Sequence, residues 1–231
     1  MTKLYCDTSN LKDISYSIKK YKVHGVTTNP SIMRKEGVKN YKEHCLKILK
    51  LIQNKPLSVE VFADKENEII EQAKKIAKWS KNIYVKVPVI NTKGKFLGKV
   101  IRELNNINIK LNITAVFTLN QVKQIKKVLN YKTPTIISIF SGRIADSGID
   151  PEPIIIESKR IFKKNKNVKI LWASVREVFN FYQASRTKAD IITVPPQFIK
   201  KIINKKISLT NYSKITVKQF FEDGKKSKFR I

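Results

Sequence analysis

Eight short runs rich in β-branched and aromatic residues alternate along the chain with longer stretches of helical periodicity. This alternation predicts a parallel sheet whose strands are connected by helices, and eight strands are the number that closes a β/α barrel. The 231 residues suit such a barrel, which typically takes about 250. An open, doubly wound sheet is the alternative, but no Gly-x-Gly-x-x-Gly sequence follows the first run. The predicted strands are residues 3–7, 23–28, 57–62, 83–88, 110–117, 135–140, 169–174 and 190–194.

Two of the connecting stretches show the helical period clearly. Ile69, Ala73 and Ile76 recur at spacings of three and four residues, and the stretch around residues 41–52 does the same. One further helix with a basic end is predicted at about residues 217–229. No repeat or linker divides the chain, so we expect one α/β domain over residues 1–231, a single (β/α)8 TIM barrel with an extra C-terminal helix.

The chain is strongly basic, with 47 Lys+Arg against 18 Asp+Glu and a formal charge of +29. Such a charge attracts polyanions and phosphorylated small molecules. It is also what heavy use of lysine throughout a solvated surface produces. The lysines are spread along the chain rather than gathered in a tail, and no nucleic-acid-binding motif is present. We therefore favour a solvated surface and do not expect nucleic acid as a partner.

The sequence carries no feature of membrane insertion, disulfide bonding or metal binding. Apolar runs such as residues 154–156 fall far short of the roughly 20 residues that span a bilayer, and we expect no signal peptide. Cys6 and Cys45 cannot supply a disulfide framework. Neither they nor His24 and His44 have the spacing of metal ligands. These features predict a cytoplasmic protein with no metal site and no membrane partner.

Polar or ionisable residues occur near the carboxyl end of almost every predicted strand. In a β/α barrel these ends meet at one mouth, which is where such folds carry their active sites. Burying an unpaired polar atom costs about 1–3 kcal/mol and a charge costs more, so a shared position predicts a site rather than a core. The residues are Asp7, Thr27, Asn29, Glu60, Lys86, Asn112, Thr114, Ser138, Ser174 and Arg176, with Phe140 on the same strand and face as Ser138.

Lys86 lies within the otherwise apolar strand Tyr-Val-Lys-Val-Pro at residues 84–88. A lysine amine is normally protonated at neutral pH, but burial in apolar surroundings favours the neutral, nucleophilic form. Enzymes prepare Schiff-base lysines in this way. A strand lysine that extends to water is the alternative, and the residues alone leave both open. Asp7 and Glu60 are either carboxylates for proton transfer or ordinary surface and capping residues.

Seven segments, whose order along the chain is that of the family, resemble the transaldolase family, including its short branch that also contains the fructose-6-phosphate aldolases. The resemblance covers almost the whole chain. Its most specific segments are Gly-Val-Thr-Thr-Asn-Pro-Ser-Ile at 25–32 and Val-Lys-Val-Pro at 85–88. The others are Leu-Tyr-Cys-Asp-Thr-Ser at 4–9, Ser-Val-Glu-Val at 58–61, Asn-Ile-Thr-Ala-Val-Phe at 112–117, Phe-Ser-Gly-Arg-Ile at 140–144 and Ala-Ser-Val-Arg at 173–176.

The resemblance implies a (β/α)8 barrel that transfers a dihydroxyacetone unit without a metal or organic cofactor. The donor would be sedoheptulose 7-phosphate or fructose 6-phosphate, and the acceptor glyceraldehyde 3-phosphate or erythrose 4-phosphate, as in the pentose phosphate pathway. Lys86 would form a Schiff base with the ketose. Asp7 would take the proton of the C4 hydroxyl as the C3–C4 bond breaks. Glu60 and Thr114 would hold a water that relays protons.

The resemblance also implies two groups of binding residues. The dihydroxyacetone piece would contact Asn29, Asn112 and Ser138, with Thr27 beside them. The sugar phosphate would contact Arg143, Ser174 and Arg176. The second assignment also has a physical basis, because two guanidinium groups and a hydroxyl suit phosphate oxygens.

Some positions depart from the family pattern, and two others differ between its transaldolase and aldolase branches. Ile139, Ser141 and Glu177 are unusual, and Glu177 would place negative charge near the predicted phosphate site; these departures leave the acceptor open. The aldolase branch carries Gln at the Glu60 position and Tyr at the Phe140 position. This chain has Glu and Phe, which favours transfer over release of free dihydroxyacetone. A basic nucleic-acid-binding protein without activity remains a remote alternative.

The resemblance finally implies a homo-oligomer. Members of the short branch assemble into rings in which the C-terminal helix reaches a neighbouring subunit. The segment at residues 217–229 could do this, although a helix packed on its own barrel is equally compatible with the sequence.

Overall fold

The computed structural model describes residues 1–203 and 207–227. Its eight parallel strands pair in sequence order, and β8 pairs with β1 to close a barrel. The strands are β1 (Lys3–Asp7), β2 (Gly25–Thr27), β3 (Leu57–Glu60), β4 (Ile83–Pro88), β5 (Leu111–Val116), β6 (Thr135–Ile139), β7 (Val168–Trp172) and β8 (Ile191–Val194). The predicted (β/α)8 barrel is confirmed.

Helices follow the strands around the outside of the barrel. They are α1 (Leu11–Tyr21), α2 (Pro30–Lys35), α3 (Tyr41–Ile52), α4 (Glu66–Ala77), α5 (Gly98–Asn106), α6 (Leu119–Lys126), α7 (Ser141–Asp146), α8 (Glu152–Ile161), α9 (Phe179–Arg186), α10 (Pro196–Ile203) and α11 (Leu209–Ser227).

The helical periodicity correctly marks the faces that pack on the barrel. Ile69, Ala73 and Ile76 on α4 are buried, as are Cys45 and Ile48 on α3. Burying an aliphatic side chain contributes roughly 1.5–3 kcal/mol. These contacts hold the helices against the outer surface of the sheet and leave the barrel interior to the strand residues of opposite parity.

Several strands are shorter than the sequence predicts. β7 ends at Trp172 because Ser174 adopts a left-handed conformation, with φ of +63°, that turns the chain away. β2 ends at Thr27 because Asn29 caps α2, accepting a hydrogen bond from the amide of Ile32. As a result, Phe140 and Ser174, which were predicted within strands, lie in the loops just beyond them, as do Asn29 and Arg176.

A cluster of apolar side chains fills the middle of the barrel. It contains Tyr5, Ile136, Leu171, Ala173 and Ile191, and it is separate from the larger core between barrel and helices. The Tyr5 ring lies so close to Gly25 that a Cβ there would come within 2.6 Å of it. Glycine at this position therefore makes room for the tyrosine inside the barrel.

The C-terminal helix α11 begins at Leu209 rather than at residue 217. Ser208 caps it, its side chain accepting from the Asn211 amide at 3.2 Å. The predicted end at Phe229 lies outside the described residues. No described residue of α11 is buried. Neither α11 nor any other helix within residues 1–203 and 207–227 combines the length and the apolar composition needed to cross a membrane.

Candidate active site

The carboxyl ends of the strands surround a cavity of about 420 Å³, a size typical of small-molecule sites. Every predicted site residue except Glu60 lines it. Those residues are Asp7, Thr27, Asn29, Lys86, Asn112, Thr114, Ser138, Phe140, Arg143, Ser174 and Arg176. The structure therefore brings together the positions that the sequence placed at one mouth.

Strand register places the central residues next to each other. Glu60 on β3 is the partner of Lys86 on β4, and Lys86 is the partner of Asn112 on β5. Asp7 on β1 is likewise the partner of Thr27 on β2. Residues paired across parallel strands point to the same face of the sheet. A lysine, two carboxylates, an amide and a hydroxyl thus face the barrel interior near its mouth.

The Lys86 side chain is buried, with the residue 6% exposed, and it does not extend to water. Its Nζ lies 2.9 Å from Oε2 of Glu60 and donates a hydrogen bond to the carbonyl oxygen of Thr28 at 2.8 Å. The sequence predicted apolar surroundings, whereas the structure surrounds the amine with a carboxylate and a carbonyl. Glu60 is therefore in direct contact with the candidate nucleophile.

Two hydroxyl groups in series hold Asp7. Thr27 Oγ1 donates to Asp7 Oδ1 at 2.7 Å and lies 2.5 Å from Oγ1 of Thr193 on β8. Since the Thr27 proton goes to Asp7, the Thr193 hydroxyl donates to Thr27. Burial raises the pKa of Asp7 above its ordinary value, while the Thr27 hydrogen bond and the charge of Lys86 offset part of the rise.

The opposite wall of the cavity is a hydrogen-bonded polar chain next to an unpaired hydroxyl. Ser138 donates to the Asn112 side-chain oxygen at 2.6 Å, and the Asn112 amide donates to Ser58 at 3.0 Å. Thr114 Oγ1 is buried and has no hydrogen-bond partner within the part of the chain that the structure describes. A buried hydroxyl without a partner is costly. Its position on the cavity wall makes it available to a ligand or a water.

A bulge on β5 lies next to Thr114. The register with β6 shifts between Ile113 and Val116, and Ala115 has a φ of +55°. A residue other than glycine seldom adopts this conformation, and such strained positions and bulges occur frequently next to active sites.

Two arginines lie at the outer part of the cavity. The Arg143 guanidinium lies over the Phe140 ring at 5.7 Å from its centroid. Arg176 donates through Nε and Nη2 to Oδ2 of Asp146, at 2.9 and 2.7 Å. This pairing lowers the pKa of Asp146. Because it uses two of the five guanidinium donors, the remaining donors of Arg176 can bind an anion.

The three residues that depart from the family pattern do not line the cavity. Glu177 is exposed and is not among the residues that line the cavity; the carboxylate next to the arginine is Asp146 instead. Ile139 and Ser141 are fully buried behind the cavity wall. These departures from the family pattern therefore do not contact the cavity directly.

Sequence reasoning missed several residues of the mouth. Thr193, Lys35 and Gln197 line the cavity, and Thr193 also completes the hydrogen bonds to Asp7. Thr193 has the same signal as the residues that were found, a polar residue near the end of a strand. Lys35 and Gln197 lie on α2 and α10 and carry no such signal.

Potential metal ligands are dispersed. Within residues 1–203 and 207–227, no group of three or more His, Cys, Asp or Glu side chains could hold a metal ion. Cys6 and Cys45 are free and buried.

The fold and the site define a class: a (β/α)8 barrel protein with a buried lysine–carboxylate pair at the carboxyl mouth. Solved structures share the barrel at low identity. KGPDC from Streptococcus mutans matches with a TM-score of 0.55 at 11% identity, covering 88% of this chain and 98% of its own. Thiamine phosphate pyrophosphorylase from Pyrococcus furiosus matches with a TM-score of 0.56 at 12% identity, covering 87% and 95%. At these identities the likeness concerns the fold alone.

The family follows from the sequence comparison. The family model described as transaldolase/fructose-6-phosphate aldolase matches residues 4–230. The chain belongs to this family.

Relatives in several organisms bear the name probable transaldolase. One from Thermoplasma volcanium is 38% identical, covering 87% of each chain. One from Caldicellulosiruptor saccharolyticus is 33% identical, covering 97% of each. One from Dehalococcoides mccartyi is 30% identical, covering 87% of this chain and 90% of its own. Family and relatives together indicate a transaldolase-type enzyme.

Proposed function

We propose that the chain is a Schiff-base transaldolase. It transfers a dihydroxyacetone unit from sedoheptulose 7-phosphate or fructose 6-phosphate to glyceraldehyde 3-phosphate or erythrose 4-phosphate. The observation that carries this proposal is the buried Lys86, which lines the mouth cavity and whose Nζ lies 2.9 Å from Oε2 of Glu60. A lysine that extends to water is solvated and needs no carboxylate partner, whereas a buried ammonium group does.

The first stage forms the Schiff base. The Lys86 ammonium must lose a proton before it attacks the ketose carbonyl carbon, and the Glu60 carboxylate is in position to accept that proton. The resulting carbinolamine gains a proton on its hydroxyl and loses water, which leaves an iminium ion on Nζ. The unpaired Thr114 hydroxyl, together with Glu60, suits the binding of the water that relays these protons.

The second stage breaks the C3–C4 bond. Asp7 accepts the proton of the C4 hydroxyl, the C4 oxygen becomes an aldehyde carbonyl, and the bond electrons pass to the iminium to form an enamine on Lys86. A carboxylate with a raised pKa is a better proton acceptor than an ordinary one. The enamine then adds to the carbonyl carbon of an acceptor aldehyde, which forms a new C–C bond and restores the iminium. Hydrolysis of the iminium releases the new ketose from Lys86.

The remaining cavity residues supply binding. Asn29 uses its side-chain oxygen to cap α2, so its amide hydrogens are available to the hydroxyls of the dihydroxyacetone piece. Asn112 and Ser138, on β5 and β6, line the same cavity. Arg143, Ser174 and Arg176 at the outer part of the cavity would bind the sugar phosphate.

A fructose-6-phosphate aldolase that releases free dihydroxyacetone is the second candidate, since the family contains both activities. Product analysis with fructose 6-phosphate, with and without erythrose 4-phosphate, distinguishes them. A transaldolase forms sedoheptulose 7-phosphate when the acceptor is present and little free dihydroxyacetone without it. Full turnover to free dihydroxyacetone without acceptor would support the aldolase instead.

We further propose that the enzyme acts as a cytoplasmic homo-oligomer. The helix α11 exposes large apolar side chains along its length: Leu209, Tyr212, Ile215, Val217, Phe220 and Phe221. Apolar surface of this kind is typical of a face that another subunit covers. The free, buried Cys6 and Cys45 suit a reducing compartment.

A further inference from the structure

A second cavity, of about 550 Å³, lies at the amino-terminal end of the barrel, opposite the candidate active site. Tyr5, Tyr84, Ile136 and Ile191 are among its lining residues and belong to or pack against the apolar cluster inside the barrel. Lys3, Lys169 and Lys188 also line it. The volume is in the range of sites that take small organic ligands.

Strand parity places two of these lysines on the inward side of the sheet, at the open amino-terminal rim of the barrel, where both are exposed. Lys3 lies two residues before Tyr5, and Lys169 lies two residues before Leu171, so each shares a face with a side chain of the inner cluster. The register agrees, since Lys3 is the partner of Ile191 and Lys169 the partner of Ile136. Apolar inner side chains therefore lie beside basic ones at this end.

The polar groups on the inner face of this cavity are free to donate hydrogen bonds. Tyr5 is only 5% exposed. Its hydroxyl makes no hydrogen bond to any other residue in 1–203 or 207–227, and neither does the hydroxyl of the half-buried Tyr84. Burial raises the pKa of both phenols, so they stay protonated at neutral pH. Within the same ranges, the three lysines form no ion pair.

The carboxylate that lines the cavity does not balance these charges. Asp190 Oδ1 binds Nζ of Lys159 at 2.7 Å, and Oδ2 accepts from the backbone amide of Ile170 at 2.8 Å. Both oxygens of Asp190 are thus engaged. The cavity is left with an excess of hydrogen-bond donors and positive charge.

We propose that this cavity is a binding site for a small phosphate monoester. Three ammonium groups and two phenolic donors suit a phosphate dianion. A ligand with a single carboxylate offers less negative charge and fewer acceptor oxygens. The cavity is larger than a phosphate ion, and its aliphatic and aromatic lining suits a small organic group attached to the phosphate. This site is distinct from the phosphate-binding part of the candidate active site, which lies at the other end of the barrel.

Inorganic phosphate is the probe for a direct test. Binding is measured by equilibrium dialysis at constant ionic strength, in the full chain carrying Arg143→Ala and Arg176→Ala, which removes the predicted phosphate-binding arginines of the mouth. We expect saturable binding that weakens about tenfold or more in Lys169→Ala/Lys188→Ala, as loss of charge-assisted contacts predicts. Tyr84→Phe, which removes only a hydroxyl, should weaken binding by a smaller factor.

The matched control removes two exposed lysines elsewhere, Lys50→Ala and Lys75→Ala, and should change the affinity less than twofold. Equal weakening by the control pair would show attraction to overall charge and overturn the proposal. Absence of saturable binding in the background that lacks Arg143 and Arg176 would also overturn it. Both results are independent of transaldolase activity, and circular dichroism confirms that each variant is folded.

Discussion

At the scale of single residues, the candidate chemistry depends on which hydrogen bonds each carboxylate receives. Asp7 is partly buried and accepts from Thr27, whereas Glu60 contacts the Lys86 amine. The two carboxylates thus differ in surroundings, which suits them to different proton transfers. Sequence reasoning found both residues because strand ends meet at one mouth. It also named Thr27 and Lys86, but not which carboxylate each one contacts, and the contact of Thr193 with Thr27 exists only because the barrel closes.

The first prediction concerns the pH dependence of turnover. The Thr27 hydroxyl stabilises the Asp7 carboxylate and so lowers its pKa. Thr27→Val should raise that pKa further, and the rise of kcat with pH should move to higher pH because Asp7 must be ionised to accept a proton. Thr27→Ser keeps the hydroxyl and should stay close to wild type. An unchanged profile in Thr27→Val would show that Asp7 ionisation does not limit the reaction.

The second prediction concerns Phe140, which lines the cavity. Release of dihydroxyacetone requires protonation of the enamine and hydrolysis of the imine, and a phenol offers a proton that phenylalanine does not. Phe140→Tyr should therefore clearly increase free dihydroxyacetone from fructose 6-phosphate without acceptor. Phe117→Tyr adds a hydroxyl to the neighbouring ring, 5.7 Å away and not among the cavity-lining residues, and should not. If only stability changes in Phe140→Tyr, the residue serves packing alone.

At the scale of elements, strand order and parity could be predicted because they follow from local residue patterns. The ends of the strands could not. The chain turns away from the direction of β7 at Ser174, which has a left-handed backbone conformation. Asp146 on α7 forms an ion pair with Arg176 in the loop after β7. Such features depend on contacts between residues that are distant in sequence, so local sequence patterns do not predict them.

The third prediction tests how α7 and the loop after β7 fit together. A Cβ on Gly142 would lie 1.6 Å from the carbonyl oxygen of Ser174, so any larger residue must displace this backbone. Gly142→Ala should raise KM for phosphorylated substrates by about tenfold or more and lower the free energy of unfolding by about 1–3 kcal/mol. Gly224→Ala, where a Cβ meets nothing within 4 Å, is the control. Wild-type kinetics in Gly142→Ala would show that the two loops are not closely coupled.

At the scale of the whole molecule, the barrel has two chemically different ends, and the helix α11 carries exposed apolar side chains. The carboxyl mouth combines Lys86 with carboxylates, whereas the opposite end is lined by lysines and phenols. The formal charge of +29 favours the approach of anionic substrates. The helix α11 leaves its apolar residues uncovered, which the sequence could not predict because packing against the barrel fits the same residue pattern.

The fourth prediction concerns assembly through α11. Phe220→Ser/Phe221→Ser should convert the wild-type oligomer into smaller species in sedimentation velocity experiments, because both rings are exposed and would be covered by a neighbour. Asn211→Ser/Gln219→Ser changes exposed polar residues of the same helix and should leave the assembly intact. A wild type that stays monomeric at micromolar concentration would contradict the proposed oligomer.

Covalent trapping on Lys86 tests the central claim most directly. Reduction with sodium borohydride in the presence of fructose 6-phosphate should fix an adduct on the peptide that contains Lys86, located by mass spectrometry. Lys86→Arg keeps a cation beside Glu60 and Thr28 but cannot form the imine, and it should lose both adduct and turnover while staying folded. Lys35→Ala removes another lysine of the same cavity and should keep the adduct. An adduct on a lysine other than Lys86, or full turnover in Lys86→Arg, would contradict the Schiff-base mechanism.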